Sequence, residues 1–223
     1  MSINVAIDGP AGAGKSTIAR MLASELNYIY VDTGAMYRAM ALYMIEHKID
    51  VSHLDEVGSA CDAITIDIQY SAGEQQVILN GKNVNDFIRT ETVSEMSSKI
   101  SAIPEVREKL LSLQRSLAAA ENVIMDGRDI GTHVLPNADV KIFLTADAHV
   151  RAVRRYEEFI AKGVSCTLEN VEREVIERDE RDMNRAIAPL KQAEDAVRVD
   201  TSAMTIEEVV CYLKKLIGQA VAR

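Results

Sequence analysis

Cysteine is scarce in this sequence, and its placement excludes two kinds of site. The 223 residues include three cysteines, Cys61, Cys166 and Cys211. They are far apart, odd in number and form no Cys-x-x-Cys pair, so neither a disulfide framework nor a zinc site is expected. Free thiols suit a reducing compartment, and we predict a cytoplasmic protein.

The sequence also lacks a long apolar run. No stretch approaches the roughly 18–20 residues that a membrane span requires. The first ten residues, MSINVAIDGP, lead into a short apolar run that no basic residue precedes. We therefore expect neither a signal peptide nor a membrane partner.

Positive charge is in deficit. Lys and Arg number 25 against 34 Asp and Glu, which gives a net charge of −9 and argues against a broad nucleic-acid-binding surface. An anionic small ligand would need positive charge gathered in one place. With 48% hydrophobic and 26% charged residues, the composition is that of a globular protein, and the length suits one domain or one domain with an insertion.

Apolar runs typical of buried strands alternate with helical patterns. Helical periodicity follows the first two strands, begins again at Pro104, covers a charged region at about 147–186, and starts once more after a capping box at Thr205. This alternation predicts an α/β fold in which helices cover both faces of a parallel sheet. The predicted strands are INVAI (3–7), YIYV (28–31), VIM (123–125), VKIFL (140–144) and AVRVDT (196–201).

One segment, residues 64–84, interrupts this alternation. ITIDIQ alternates with period two, and QQVILNGKNV places Asn80 and Gly81 between apolar flanks. Asn-Gly favours a hairpin in which both turn residues have positive φ. The segment therefore predicts a small antiparallel β insertion.

GPAGAGKS matches the phosphate-loop pattern GxxxxGK[ST] in full. It lies between a predicted strand and helix, where backbone N–H groups and the helix N-terminus bind phosphate oxygens. Lys15 would bridge the β- and γ-phosphates, and Ser16 would ligate Mg²⁺. We therefore predict that this loop binds ATP or GTP; the alternative is a glycine-rich turn that binds no ligand. The loop does not indicate whether the phosphoryl acceptor is water or a small molecule. The predicted ATP-binding residues here are Gly9, Pro10, Ala11, Gly12, Ala13, Gly14, Lys15, Ser16 and Thr17.

Arginines supply the local positive charge. Two groups of these arginines have helical spacing and contain interleaved Glu and Asp. The alternative for these two groups is a solvated helix face with i, i+4 ion pairs. Transfer between two phosphates must neutralise more charge than attack by water, so the arginine count favours a kinase over a GTPase or motor ATPase. The residues concerned are Arg38, Arg128, one helical cluster of Arg151, Arg154 and Arg155, and a second of Arg178, Arg181, Asp182 and Arg185.

Five segments together resemble the cytidylate kinase family of nucleoside monophosphate kinases. The resemblance implies a monomeric P-loop NTPase fold with a five-stranded parallel sheet flanked by helices. It places the core at about 1–62, 86–150 and 168–223, a monophosphate-binding β insertion at about 63–85, and a helical lid over ATP at about 151–167. The segments are GPAGAGKST (9–17), DTGAMYR (32–38), SAIPEVR (101–107), DGRDIGT (126–132) and ERDERDMNRAIAPL (177–190).

The resemblance also implies roles for individual residues. Arg38 and Arg128 would hold the acceptor 5′-phosphate, and the lid arginines Arg151, Arg154 and Arg155 would stabilise the migrating charge, with Arg154 in the ATP site. The implied acceptor-binding set is Thr33, Arg38, Ser98, Arg107, Arg128, Asp129, Arg178, Asp182 and Arg185. The implied catalytic set is Lys15, Arg128, Asp129 and Arg178.

The residue types also suit cytosine, which presents an amino donor, N4, beside the acceptors N3 and O2. Asp129 supplies an acceptor for N4, Ser98 a second one, and Arg107 a donor for N3 or O2. Uracil would place a carbonyl against Asp129, a mismatch that costs on the order of 1–3 kcal/mol.

We therefore expect MgATP to phosphorylate CMP and dCMP by in-line transfer of the γ-phosphoryl group. Ser16 would ligate Mg²⁺ directly. Asp32 and Asp126 are candidates to hold its waters, and a helix-cap or turn role is an equal alternative for both. Gly127 and Gly131 are expected to let the backbone approach the substrate. A kinase for another acceptor and a non-catalytic nucleotide-binding regulator are the competing hypotheses.

Overall fold

The computed structural model describes residues 2–71 and 73–221. Among these residues no helix is both long and apolar enough to cross a bilayer. The strands are β1 (Asn4–Asp8), β2 (Ile29–Asp32), β3 (Ile66–Ser71), β4 (Glu74–Leu79), β5 (Lys82–Asn83), β6 (Val123–Gly127), β7 (Val140–Thr145) and β8 (Val197–Asp200). The helices are α1 (Lys15–Leu26), α2 (Thr33–Glu46), α3 (Leu54–Ala63), α4 (Glu91–Ile100), α5 (Pro104–Ala120), α6 (Ala148–Ala161), α7 (Leu168–Asn184) and α8 (Ile206–Val221), with a π-helical turn at Ile130–Val134.

Five strands form a parallel sheet in the order β2-β6-β1-β7-β8, which confirms the predicted fold class. The strands read as continuous apolar runs because helices cover both faces of the sheet. On one face α1 and α8 pack through Ile18, Leu22 and Leu213. On the other face α2 and α5 pack through Met40 and Leu110.

The carboxyl ends of β1, β2 and β6 bring acidic side chains to one end of the sheet. Asp8, Asp32 and Asp126 end or nearly end β1, β2 and β6, and the strand register places Asp32 beside Asp126. All three are at most 5% exposed. Ligands of open α/β sheets bind outside the carboxyl ends of the strands, so this end is where a site is expected.

The predicted β insertion is a three-stranded antiparallel sheet, β3-β4-β5. Asn80 (φ 47°) and Gly81 (φ 81°) connect β4 to β5, as the Asn-Gly signal predicts. Val77 and Leu79 are buried against the helices of the main core. The insertion is therefore packed against the core instead of projecting freely from it.

The charged region at 147–186 is two helices, α6 and α7, where the sequence pattern indicated one helical region. Gly163 has a φ of 73°, and the Val164 N–H donates to the Phe159 carbonyl at 2.9 Å, which is a glycine-based helix end. Thr167 then caps α7 by accepting from the Asn170 N–H at 3.3 Å. The result is a helical hairpin.

The capping box at the start of α8 is confirmed. The Thr205 N–H donates to Glu208 Oε2 at 2.9 Å, and the Glu208 N–H donates to Thr205 Oγ1 at 3.2 Å. The helix then buries Val209, Val210 and Leu213 against the sheet, as its apolar spacing predicts.

Two glycine substitutions should have opposite effects on stability. A Cβ on Gly9 would stand 1.9 Å from the Leu144 carbonyl oxygen at a φ of 148°, whereas a Cβ on Gly58 in α3 meets no atom of the described residues within 4 Å. We expect Gly9→Ala to lower the free energy of unfolding by about 2 kcal/mol or more. Gly58→Ala should raise it by about 0.5–1 kcal/mol. Urea unfolding followed by circular dichroism measures both, and equal effects would contradict the close approach at Gly9.

Candidate active site

A cavity of about 630 Å³ opens at the carboxyl end of the sheet. Phosphate-loop residues and arginines from both helical clusters share its wall, so the fold brings together most of the side chains selected from the sequence. Gly9, Pro10 and Arg107 lie outside the wall. The predicted residues within it are Ala11, Gly12, Ala13, Gly14, Lys15, Ser16, Thr17, Asp32, Thr33, Arg38, Ser98, Asp126, Arg128, Asp129, Arg154, Arg178, Asp182 and Arg185.

The phosphate loop has the curled backbone that its glycines permit. Gly12 and Gly14 have φ of 75° and 82°, a region that side chains rarely adopt. Lys15 is buried, and its ammonium donates to the Pro10 carbonyl at 2.7 Å. Burial, with Arg128 as a second cause, lowers the pKa of Lys15 to about 7. A phosphate beside this lysine would supply the negative charge that stabilises its protonated form.

Ser16, Asp126 and Tyr30 form a hydrogen-bonded cluster beside the loop. The Ser16 hydroxyl donates to Asp126 Oδ2 at 2.9 Å, and the Tyr30 hydroxyl donates to Asp126 Oδ1 at 3.0 Å. Burial, followed by the neighbouring charge of Asp32, raises the pKa of Asp126 to about 6. The cluster thus holds a carboxylate whose charge lacks full compensation by the protein.

This cluster fits Mg²⁺. Within residues 2–71 and 73–221 no three His, Cys, Asp or Glu side chains gather as a metal cage. Mg²⁺ usually takes only one or two protein ligands and completes its shell with substrate phosphates and water. One hydroxyl and a nearby under-compensated carboxylate, next to a phosphate loop, are therefore the donor set expected.

Asp32 has the helix-cap role that was the alternative to metal binding. Its Oδ1 accepts from the Ala35 N–H at 2.8 Å at the start of α2, and its Oδ2 lies 3.1 Å from Arg38 and 3.6 Å from Arg89. Burial opposes ionisation, but the two arginines outweigh it and hold the pKa of Asp32 below its usual range. Asp32 thus stays charged and orients a cavity arginine.

Asp129 lies between two arginines. Arg107 donates to its Oδ2, and Arg185 donates to its Oδ1 at 3.1 Å. The three side chains are 6–8% exposed. Arg107 also donates to the Ser101 carbonyl at 3.1 Å and lies behind Asp129, so it reaches the cavity only through that carboxylate. The two ion pairs fix the carboxylate of Asp129 in orientation.

Another carboxylate, Asp182, lies among the remaining arginines of the cavity. Arg128 donates to it at 3.0 Å. Burial opposes its charge, but Arg128, Arg178 and Arg185 together lower its pKa. Burial and then Arg128 also lower the pKa of Arg178, to about 10. Positive charge therefore exceeds negative charge on this side of the cavity, as an anionic ligand requires.

Arg151 and Gly131 have other surroundings than the sequence predicted, whereas Arg154 lies where it was expected. Arg151 is buried and donates to the Ala11 carbonyl at 2.9 Å, and it forms an ion pair with Asp179 at 2.7 Å. It holds the phosphate loop to α7 instead of facing the cavity. Arg154 lines the cavity and donates to the Thr201 carbonyl at 2.8 Å. Gly131 lies away from the cavity, since a Cβ there would face Lys141 and Asp8, whereas Gly127 lines it.

Sequence reasoning missed Asp8, Tyr37 and Arg89. Tyr37 and Arg89 line the cavity, and Asp8 accepts from the N–H groups of Ile130 and Gly131 at 2.7 Å each. Asp8 therefore ties the segment after Asp129 to the start of the phosphate loop. Its position directly before that loop was an available signal, whereas nothing local marked Tyr37 or Arg89.

Comparison with known proteins identifies the family of P-loop enzymes to which the chain belongs. The family model described as "Cytidylate kinase" matches residues 5–219. The chain belongs to the cytidylate kinase family. It is therefore a kinase whose substrates are small nucleotides, and it phosphorylates nucleoside monophosphates.

Curated relatives align along almost the whole chain. A "Cytidylate kinase" of Carboxydothermus hydrogenoformans is 51% identical, over 97% of this chain and 98% of the relative. A "Cytidylate kinase" of Bacillus cytotoxicus is 45% identical, over 99% and 98%. Such identity over full length supports the family assignment and not the fold alone.

Solved structures resemble this one in fold. A gluconokinase from Sinorhizobium meliloti superimposes with a TM-score of 0.50 at 14% identity, covering 97% of this chain and 92% of its own. A protein from Eubacterium ventriosum, described as uncharacterized, gives a TM-score of 0.53 at 15% identity, with 98% and 99% covered. At such low identity these matches show a shared architecture.

Asp8 should make stability depend on pH in a defined window. Burial raises its pKa to about 6 from 3.8, so between about pH 4 and pH 6 the folded chain keeps a proton that the unfolded chain has lost. Raising the pH through this window therefore removes stability, by up to about 3 kcal/mol. Urea unfolding of wild type and Asp8→Asn from pH 4 to 7 measures this loss of stability. The difference in free energy of unfolding between the two proteins should change across the window. A difference that is independent of pH would contradict the shifted pKa.

Proposed function

We propose that this kinase transfers the γ-phosphoryl group of MgATP to CMP and dCMP, forming ADP with CDP and dCDP. One observation carries the proposal: the cavity wall that contains the phosphate loop also contains Asp129, a carboxylate that is ion-paired with Arg185 and Arg107. Donor and acceptor recognition thus lie in one cavity, as direct transfer requires.

Asp129 is suited to the amino group of cytosine. A carboxylate accepts hydrogen bonds and donates none, so it favours the N4 amino group and opposes the O4 carbonyl of uracil. The Ser98 hydroxyl oxygen is buried near by and has no hydrogen-bond partner among the described residues. A base that hydrogen-bonds to both Asp129 and Ser98 would give this hydroxyl a partner. A buried hydroxyl without a partner costs free energy.

The acceptor phosphate would be held by Arg38 and Arg128, with Arg178 and Arg185 near by. Arg38 and Arg128 are now paired with Asp32 and Asp182. Each pairing leaves further guanidinium N–H donors to face the cavity, because one guanidinium carries five N–H groups. Asp32 and Asp182 would thus orient Arg38 and Arg128 and leave N–H donors for a phosphate.

On the donor side, the phosphate loop and Lys15 would bind the triphosphate, and Ser16 would hold Mg²⁺ with Asp126 and Asp32 near its waters. Mg²⁺ neutralises charge on the β- and γ-phosphates when bound. Arg154 and Arg155, on α6, line the cavity and would stabilise the migrating charge. Residues 151–167, which cover most of α6 and the turn before α7, would be the lid, which excludes water and suppresses hydrolysis.

The acceptor is tested with a panel. ADP release is measured in a coupled assay with CMP, dCMP, UMP, AMP and shikimate at equal concentrations, with and without Mg²⁺. We expect turnover of CMP and dCMP that depends on Mg²⁺, and at least tenfold lower kcat/KM for UMP. Comparable rates on UMP and CMP would refute cytosine recognition, and turnover of none would refute the proposed activity.

Replacing Asp129 should alter base selectivity. Asp129→Asn keeps the size of the side chain but adds an N–H donor that can face a uracil carbonyl. We expect kcat/KM for CMP to fall by about 100-fold, in line with a lost charged hydrogen bond of about 1.5–3 kcal/mol. The fall for UMP should be smaller, and KM for ATP should stay within about twofold.

Asp67→Ala serves as the matched control, because Asp67 is exposed on β3. It should leave every constant unchanged. Equal losses for CMP, UMP and ATP in Asp129→Asn would mean that Asp129 only supports the fold.

A further inference from the structure

The β insertion is joined to the core sheet by hydrogen bonds to the backbone of β2. The Gln75 side chain accepts from the Asp32 N–H at 2.8 Å and donates to the Asp32 carbonyl at 3.2 Å. The Tyr70 hydroxyl donates to the Tyr30 carbonyl at 3.1 Å. Because β2 is an edge strand, its outward groups at residues 30 and 32 need such partners.

Gln75 takes the place of a neighbouring strand at one residue. Its amide meets both the N–H and the C=O of Asp32, as a peptide group in an adjacent strand would do. Asp32 is thereby held from outside by Gln75 and from inside by the pairing of β2 with β6. Its backbone position is fixed on both sides.

The residue fixed in this way controls two cavity arginines. The Asp32 carboxylate caps α2 and lies 3.1 Å from Arg38 and 3.6 Å from Arg89. Arg38 and Arg89 both line the cavity. A displacement of Asp32 would therefore displace the arginines that it orients.

Gln75 is also tied to the chain that leads to Arg89. The Asn85 side chain donates to the Gln75 carbonyl at 2.7 Å and accepts from the Val77 N–H at 2.9 Å. Residues 86–88 then lead directly to Arg89. Gln75 thus contacts both parts of the chain that position Arg38 and Arg89, namely Asp32 and the segment after β5.

We propose that Gln75 is a positioning residue for the acceptor phosphate. Its side chain holds the Asp32 backbone, and its main-chain carbonyl accepts from Asn85, so it sets where the guanidinium groups of Arg38 and Arg89 stand in the cavity. The inference rests on the proposed function and deepens it, because it assigns to one side chain the coupling between the insertion and phosphate binding. Gln75 itself contacts no substrate in this proposal.

The test uses Gln75→Met, which keeps the length of the side chain and removes both hydrogen bonds. We expect KM for CMP to rise about tenfold, while kcat and KM for ATP stay within twofold. Cytidine, which lacks the phosphate, is measured as a competitive inhibitor. Its inhibition constant should not change, because the base site at Asp129 is not touched.

Tyr70→Phe is the matched control, since it removes the other hydrogen bond of the insertion to β2. It should leave KM for CMP within twofold, and urea unfolding should show similar stability for both variants. Equal rises in KM for CMP in the two variants, or equal losses of CMP and cytidine binding in Gln75→Met, would overturn the proposal in favour of a docking role alone.

Turnover of CMP by the wild type is measured first, so that failure of the proposed function is recognised separately. If CMP is not a substrate, binding of inorganic phosphate by calorimetry replaces KM. Phosphate should then bind more weakly to Gln75→Met than to wild type and Tyr70→Phe. Equal phosphate affinity in the three proteins would overturn the role of Gln75.

Discussion

The burial of carboxylates at one end of the parallel sheet is the constraint on which the site depends. Asp8, Asp32, Asp126, Asp129 and Asp182 are at most 6% exposed. A buried charge without partners is costly, and breaking such a pair costs several kcal/mol. Each of these carboxylates therefore binds backbone N–H groups, hydroxyls or arginines, and those partners become fixed in the cavity as a consequence.

The carboxylates differ in how completely the protein compensates their charge. Arg38 and Arg89 lower the pKa of Asp32, and three arginines lower that of Asp182. Burial wins at Asp8 and Asp126, whose pKa values are about 6. The well-paired carboxylates hold arginines that line the cavity, while Asp126 beside Ser16 is under-compensated.

Secondary elements outside the sheet complete this end. The insertion holds Asp32 through Gln75, and the α6–α7 hairpin is bound to the phosphate loop through Arg151, whose guanidinium joins the Ala11 carbonyl to Asp179. Each element thus contacts the site through specific side chains, and the insertion is also packed against the core through Val77 and Leu79.

Apolar period, glycine placement and capping residues act locally, so the sequence was enough to predict the parallel sheet, the insertion with its Asn80-Gly81 turn, the phosphate loop and most of the cavity residues. Motifs spread along the chain also predicted the family. Which charges meet could be read only from the folded chain. Arg107 lies behind Asp129, Arg151 faces away from the cavity, and Gln75 binds Asp32 from a distant strand, since such pairings depend on strand register and on the packing of elements far apart in the chain.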